Sequence, residues 1–206
     1  MLHRTAKPAL SATLFLALAS AHSGPQAFTI STGIDKDAHL PYWELADPGM
    51  SLRLVQRLPD QSRAFFMARG FTRRQAERVA QACVFQTVFR NRSQAGEPSP
   101  LTYDLRDWSV ILGDGRRSMK TREDWRGEWE SLGVPQSARI AFEWALYPTE
   151  QQYRPGDYNW GMSTMDLAPG TRFDLEVVWQ QHNKTHRAFI RDMECAPDIE
   201  LEPAEP

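Results

Sequence analysis

The chain has 206 residues, of which 41% are hydrophobic and 11% aromatic, and its formal net charge at pH 7 is −2. This length favours one domain or one domain with appendages, and the composition provides enough apolar residues for a core. The slightly acidic balance disfavours nucleic acid as a partner, because binding to phosphate groups needs clustered positive charge.

The N-terminus has the pattern of a secretory signal. Arg4 and Lys7 precede an apolar run at Leu10–Ala19, and residues 19–21, Ala-Ser-Ala, suit cleavage. An uncleaved anchor is the alternative, but the apolar run is too short to span a bilayer comfortably. We therefore predict a signal peptide at residues 1–21 and a periplasmic or secreted protein that is not an integral membrane protein after cleavage.

Residues 22–50 mix short apolar pieces with Gly, Pro and Asp, and we predict an extended N-terminal arm with one edge strand. In the next segment, residues 51–57, Leu52 and Leu54 alternate with polar residues and indicate a strand. The apolar residues of this segment also fit a helix, which stays the alternative.

The following segment carries the signals of two short helices. Gln61–Arg69 is the first, and Thr72 with Gln75 forms a capping box for the second. Apolar residues after the box recur at helical spacing and end at Cys83. We predict a helical insertion at about residues 60–82 that docks on a sheet and places Cys83 in the core.

Later segments have strand character, at residues 84–90, 101–112, 139–147, 173–179 and 187–193. Trp144 and Trp179 lie on the apolar faces of two of these segments and are predicted core residues. A short helix is predicted from Thr121. Together these patterns predict a mainly β fold, an antiparallel β-sandwich over residues 51–197, followed by a disordered acidic tail at residues 198–206.

Short motifs between residues 84 and 192 carry a family resemblance. They are Phe89-Arg90-Asn91, the turn at residues 153–157, Trp160-Gly161 and Phe173-Asp174-Leu175. Their layout resembles that of secreted bacterial immunoglobulin-like β-sandwich modules, in which an F-x-P-G-D type turn precedes a sheet strand. The helical insertion and the missing Cys–Trp–Cys spacing depart from antibody-type domains. The resemblance implies an immunoglobulin-like topology and a binding or accessory module.

The chain contains two cysteines, Cys83 and Cys195. An even number of cysteines in an exported chain predicts a disulfide. A redox or metal-binding pair is the alternative, but the C-x-x-C spacing that would support it is absent.

Copper is the sharpest candidate ligand. Cleavage after Ala21 would expose the α-amino group and the imidazole of His22, a chelate that copper favours. Further nitrogen and thioether ligands could come from His39, His182, His186, Met162 and Met165. The chain is similar to histidine-brace copper proteins in that N-terminal residue and in its predicted fold. Histidines at a polar hairpin tip are also ordinary, and methionines also serve as packing residues, so the default prediction is that no cofactor is bound.

Three tryptophans near predicted turns, Trp125, Trp129 and Trp160, are candidate partner-binding residues, because exposed aromatic side chains bind sugars and proteins. Residues 161–165 contain a serine after a glycine but lack the second glycine of a nucleophile elbow. No other set of residues converges on a catalytic pattern, so the chain is predicted not to be an enzyme.

The sequence therefore predicts a non-catalytic exported binding or accessory module of the bacterial envelope. Its partner would be another exported protein. The alternative function is a copper-binding envelope protein that uses His22 with other His and Met ligands.

Overall fold

The computed structural model describes residues 28–96, 99–113 and 115–198. Within these residues the chain forms two antiparallel β-sheets and four short helices. Both sheets contribute side chains to one hydrophobic core, which therefore lies between them. The predicted mainly β class is confirmed, and the arrangement is consistent with a β-sandwich. The immunoglobulin-like connectivity stays a prediction.

The first sheet consists mostly of consecutive strands. In spatial order they are β1 (Thr29–Ile34), β2 (Pro41–Ala46), β3 (Met50–Gln56), β4 (Val84–Asn91) and β9 (Tyr158–Thr164). Leu52 and Leu54 of β3 are fully buried, which confirms the strand predicted there. Residues 28–50 differ from the predicted arm with one edge strand, because they form two strands that belong to the sheet. Trp43 and Leu45 of β2 supply buried side chains at alternate positions, and burial of this face ties the segment to the core.

The second sheet is built around one long hairpin. Its strands are β5 (Leu101–Asp104), β6 (Ser109–Leu112), β7 (Gly115–Ser118), β8 (Glu150–Tyr153), β10 (Arg172–Gln181) and β11 (Lys184–Glu194). The predicted hairpin is confirmed: β10 pairs with β11 over its length and with β5 and β6 on its other edge. The strand predicted at residues 101–112 is interrupted by a 3-10 turn at Leu105–Asp107. The Asp104 carboxylate stabilises this turn by accepting the Arg106 N–H at 2.9 Å.

The predicted disulfide joins Cys83 to Cys195, with the two α-carbons 5.1 Å apart. Cys83 directly precedes β4 of the first sheet, and Cys195 directly follows β11 of the second. The bond therefore links the two sheets across the edge of the core, and both residues are buried.

The helices form a second hydrophobic cluster on the outer side of the first sheet. They are α1 (Pro59–Met67), α2 (Arg73–Ala80), α3 (Arg122–Ser131) and α4 (Gln136–Ala145). The capping box predicted for α2 is present, since Thr72 and Gln75 exchange side-chain and backbone hydrogen bonds of 2.9 and 3.3 Å. The cluster also contains Val84 of β4 and Met162 of β9, so the helices pack against one end of that sheet face.

Residues 139–147 are a correction to the predicted strands, because most of them lie in helix α4. The alternation there indicated a strand, but Ala138, Phe142 and Ala145 also recur at helical spacing, and Ala138 and Phe142 are buried on one side of the helix. Trp144 falls on the opposite side and is 84% exposed, so its assignment to the core is wrong. Trp179, in β10, is 1% exposed, as predicted.

The predicted signal peptide at residues 1–21 lies outside the described residues, as does nearly all of the predicted tail. Asp198, the first residue of that tail, is described and forms an ion pair of 2.5 Å with Arg63 of α1. In the described part of the chain, none of the helices is long and apolar enough to cross a membrane.

Candidate binding face on the first sheet

Among the described residues, the outer face of the first sheet is covered by helices at one end and uncovered at the other. The strand register places Gln86 beside Met162, Val88 beside Trp160, and Arg90 beside Tyr158. Met162 is buried under the helices, whereas Trp160 is 63% exposed and Tyr158 is 55% exposed. We call the surface formed by Arg53, Val88, Arg90, Tyr158 and Trp160 the open face.

Aromatic and cationic side chains meet on the open face. The guanidinium carbon of Arg90 lies 4.6 Å from the centre of the Tyr158 ring, a distance at which the ring face attracts the cation. Both side chains come from adjacent strands, so the sheet itself positions them. Tyr, Trp and Arg are the residues enriched at protein interfaces.

Gly161 allows the backbone of β9 next to Trp160 to lie close to the segment that follows α4. A β-carbon at position 161 would lie 2.6 Å from the backbone nitrogen of Tyr147, so only glycine fits without a shift. The Tyr147 N–H donates to the Met162 carbonyl at 2.7 Å, which fastens β9 to the segment after α4. Trp160 is therefore presented by a strand whose backbone is closely packed.

A cavity of about 680 Å³ adjoins the open face and shares Arg53 and Val88 with it. Arg53 pairs with Asp35 at 2.9 Å and with Glu44 at 2.8 Å, and its guanidinium carbon lies 3.5 Å from the centre of the Tyr42 ring. The pKa of Asp35 falls to about 2, because its carboxylate accepts the backbone N–H of Ala38 and is paired with Arg53. This corner of the cavity is an ordered ion-pair network in which one guanidinium is shared by two carboxylates, which leaves a net formal charge of −1.

The structure separates the three tryptophans predicted to bind a partner. Trp160 is accessible, but Trp125 and Trp129 are 0% and 1% exposed. They stack on each other with ring centres 4.9 Å apart in the helical cluster, and the Trp125 indole donates to the Thr164 hydroxyl at 2.9 Å. The expectation that these two are exposed is wrong. Their spacing of four residues on one helix was the signal for burial on a common face.

The methionines and histidines predicted as copper ligands have other neighbours in the structure. Met162 packs in the helical cluster and Met165 in the core between the sheets. The His182 Nε2 atom lies 2.8 Å from the Ser99 hydroxyl, and the His186 ring stacks on Trp179 with centres 5.2 Å apart.

His39 lies exposed in the turn between β1 and β2, with a φ of 55°. Among the described residues, no three His, Cys, Asp or Glu side chains gather as a metal site would require. His22 lies outside the described residues, so the copper alternative stays a prediction that depends on it.

Two exposed features of the protein were not predicted from the sequence. Arg90 and Tyr158 are far apart in the chain and meet only through strand pairing, so no local pattern could have indicated the contact. The exposure of Trp144, which lies on α4 outside the open face, was missed because the alternation at residues 139–147 predicted a strand that would bury it.

No family model matches the chain, and neither a curated protein nor a solved structure is significantly similar to it.

Proposed function

We propose that the protein is a non-catalytic binding module of the bacterial envelope, and that its open face contacts another exported protein. The observation that carries the proposal is the exposure of Trp160 and Tyr158 on a packed sheet face. Large aromatic side chains clustered on such a face lose contact with water when a partner covers them, and that transfer is favourable. Trp144, 84% exposed on α4, adds a third aromatic side chain to the solvent-facing surface.

The disulfide supports the exported location. Structural disulfides persist in oxidising compartments and are rare in reducing ones. The Cys83–Cys195 bond is consistent with the signal pattern at residues 1–21, and the two together favour the periplasm or the cell exterior. An immunoglobulin-like connectivity belongs to the same proposal, since such modules commonly serve as binding or accessory domains.

Site-specific photo-crosslinking in the native host tests the proposal. A photoreactive phenylalanine analogue at position 158 of the exported protein should form a discrete adduct with one envelope protein, and Trp160→Ala should abolish it. The same analogue at position 191, exposed on β11 of the second sheet, is the matched control and should form no such adduct. Identical adducts from both positions, or none from position 158, would contradict a binding role for the open face. Substrate turnover that one side-chain substitution abolishes would contradict the non-catalytic assignment.

A further inference from the structure

Arg57, at the cavity beside the open face, is a half-buried cation that no carboxylate neutralises within the described part of the chain. It follows β3, and its backbone N–H donates to the Val84 carbonyl at 3.0 Å. Its Nε atom is buried and has no hydrogen-bond partner among the described residues. Burial lowers the pKa of Arg57, and the nearby charge of Arg69 lowers it further.

Three other arginines of this region have acidic partners among the described residues, unlike Arg57 and its neighbour Arg69, whose guanidinium carbons lie 5.1 and 3.3 Å from the centre of the Phe65 ring. Arg53 pairs with Asp35 and Glu44, Arg63 with Asp60, Glu77 and Asp198, and Arg78 with Glu128 and Asp166. A partly desolvated charge without a counter-charge is costly, and an anion supplied from solution would relieve that cost. Arg57 therefore has the electrostatic character of a ligand-binding residue.

The walls around Arg57 suit a small ligand with an apolar part. Leu40, Val55 and Val88 line the same cavity, and Gln61 adds an amide beside Arg57. The side-chain Oε1 atom of Gln61 accepts the Leu58 N–H at 3.2 Å, which orders the amide at the start of α1. A volume of about 680 Å³ lies within the range of small-molecule sites.

We propose that this cavity binds an aliphatic monocarboxylate, with the carboxylate on Arg57 and the hydrocarbon chain against Leu40, Val55 and Val88. A guanidinium presents a planar fork of donors that matches a carboxylate. The cavity wall also contains Asp35 and the exposed Asp37, and because Arg53 is shared between Asp35 and Glu44, these four groups carry a net formal charge of −2. A dianion such as a phosphate monoester would be repelled more strongly by Asp37 than a monoanion.

The test is a titration of the full exported chain, monitored by NMR. One ligand is hexanoate, and the other is hexanamide, the neutral isostere of hexanoate. Hexanoate should shift the Arg57 Nε–H signal and the amide signals of β3 in a saturable manner. Hexanamide should bind at least about tenfold more weakly, because it lacks the charge that Arg57 recognises. Hexyl phosphate should bind more weakly than hexanoate.

Arg57→Gln should weaken hexanoate binding by about tenfold or more, whereas Arg73→Gln, an exposed arginine on α2 outside the cavity, should leave it unchanged. N-Acetyl-leucine compared with its amide extends the series to a peptide C-terminus. If N-acetyl-leucine binds more tightly than hexanoate, the natural ligand is a peptide C-terminus. The reverse order identifies a small-molecule carboxylate. Both orders support the site.

Equal binding of hexanoate and hexanamide, no effect of Arg57→Gln, or tighter binding of hexyl phosphate would each overturn the proposal. If Arg57→Gln fails to fold, the hexanoate and hexanamide comparison on the unaltered chain decides the question. The site goes beyond the proposed function and is tested separately. A failed titration leaves the crosslinking result at position 158 unaffected, and a missing crosslink leaves the titration unaffected.

Discussion

A tryptophan is buried or exposed according to the side of the helix or strand on which it lies. Trp125 and Trp129 share the inner side of α3 and are buried, whereas Trp144 lies on the outer side of α4. Trp160 shares β9 with Met162, but the helices cover only the Met162 end of that strand. The contribution of each residue to stability should differ accordingly.

Replacing Trp125 and Trp160 separately by alanine should give very different losses of stability. Trp125→Ala should lower the free energy of unfolding by about 3–5 kcal/mol, because a fully buried indole leaves a cavity. Trp160→Ala should change it by no more than about 0.5 kcal/mol, as for a surface side chain. Urea unfolding followed by circular dichroism measures both, and equal losses would mean that Trp160 packs against the protein in solution.

Gly161→Ala should destabilise the protein by about 1–3 kcal/mol, because the new methyl group would overlap the backbone of Tyr147. Gly127→Ala is the matched control: it lies inside α3 with open space around its β-carbon position. That change should stabilise the protein by about 0.5–1 kcal/mol through helix propensity. Thermal and urea unfolding of the two variants would test this, and a neutral Gly161→Ala would show that β9 can move away from Tyr147.

The low pKa of Asp35 predicts a specific acid sensitivity. Its folded pKa of about 2 lies below the unfolded value, so its ionised form stabilises the fold. This contribution is complete above the unfolded value of about 4 and is lost as the pH falls towards 2. Urea unfolding between pH 2 and 6 should show that the free energy of unfolding changes less with pH for Asp35→Asn than for the parent chain. Parallel curves would indicate that Asp35 forms neither the hydrogen bond from the Ala38 N–H nor the ion pair with Arg53 in solution.

The strands and helices are held together by strand pairing, hydrogen bonds and ion pairs between distant residues, and the disulfide is the only covalent link among the described residues. Cys83 lies between α2 and β4, and Cys195 follows β11. The bond thus fastens the junction between the helical cluster and the first sheet to the end of the last strand.

Removing both cysteines by Cys83→Ala and Cys195→Ala should cost about 4–5 kcal/mol in the chain-entropy model, since the bridged residues are 112 positions apart. Reductant should destabilise the parent chain by a similar amount and leave the double variant unchanged. Urea midpoints with and without reductant measure this. An unaltered parent midpoint would mean that the bond constrains the unfolded chain very little.

Across the whole molecule, the protection of backbone amides against hydrogen exchange should depend on whether a strand lies inside a sheet or at its edge. β10 has partners on both edges, whereas β1 pairs only with β2 among the described strands and all six of its residues are exposed. Strands with one partner and few buried contacts open at low free energy. We expect the amides of β1 to exchange with deuterium much faster than those of β10. Equal protection would indicate that the free edge of β1 is covered in solution, by a second copy or by residues preceding β1.

Local patterns were sufficient for the elements whose signals are self-contained. The alternation of Phe173, Leu175 and Val177 predicts β10, and the Thr72–Gln75 box predicts α2, because each signal lies within a few residues of the element it defines. The disulfide followed from the count of cysteines, since two thiols in a chain that is predicted to be exported have only one pairing within the chain.

Only the tertiary structure decided which faces are covered. The apolar alternation at residues 139–147 fits a strand, but Ala138, Phe142 and Ala145 recur at helical spacing, and their packing in the helical cluster selects the helix. The open face depends on where the helices end over the first sheet, and the Arg90–Tyr158 contact depends on the pairing of β4 with β9. These are contacts between residues distant in the chain, whose free energies no local segment contains, so the sequence alone predicts the sandwich but not the surface it leaves free.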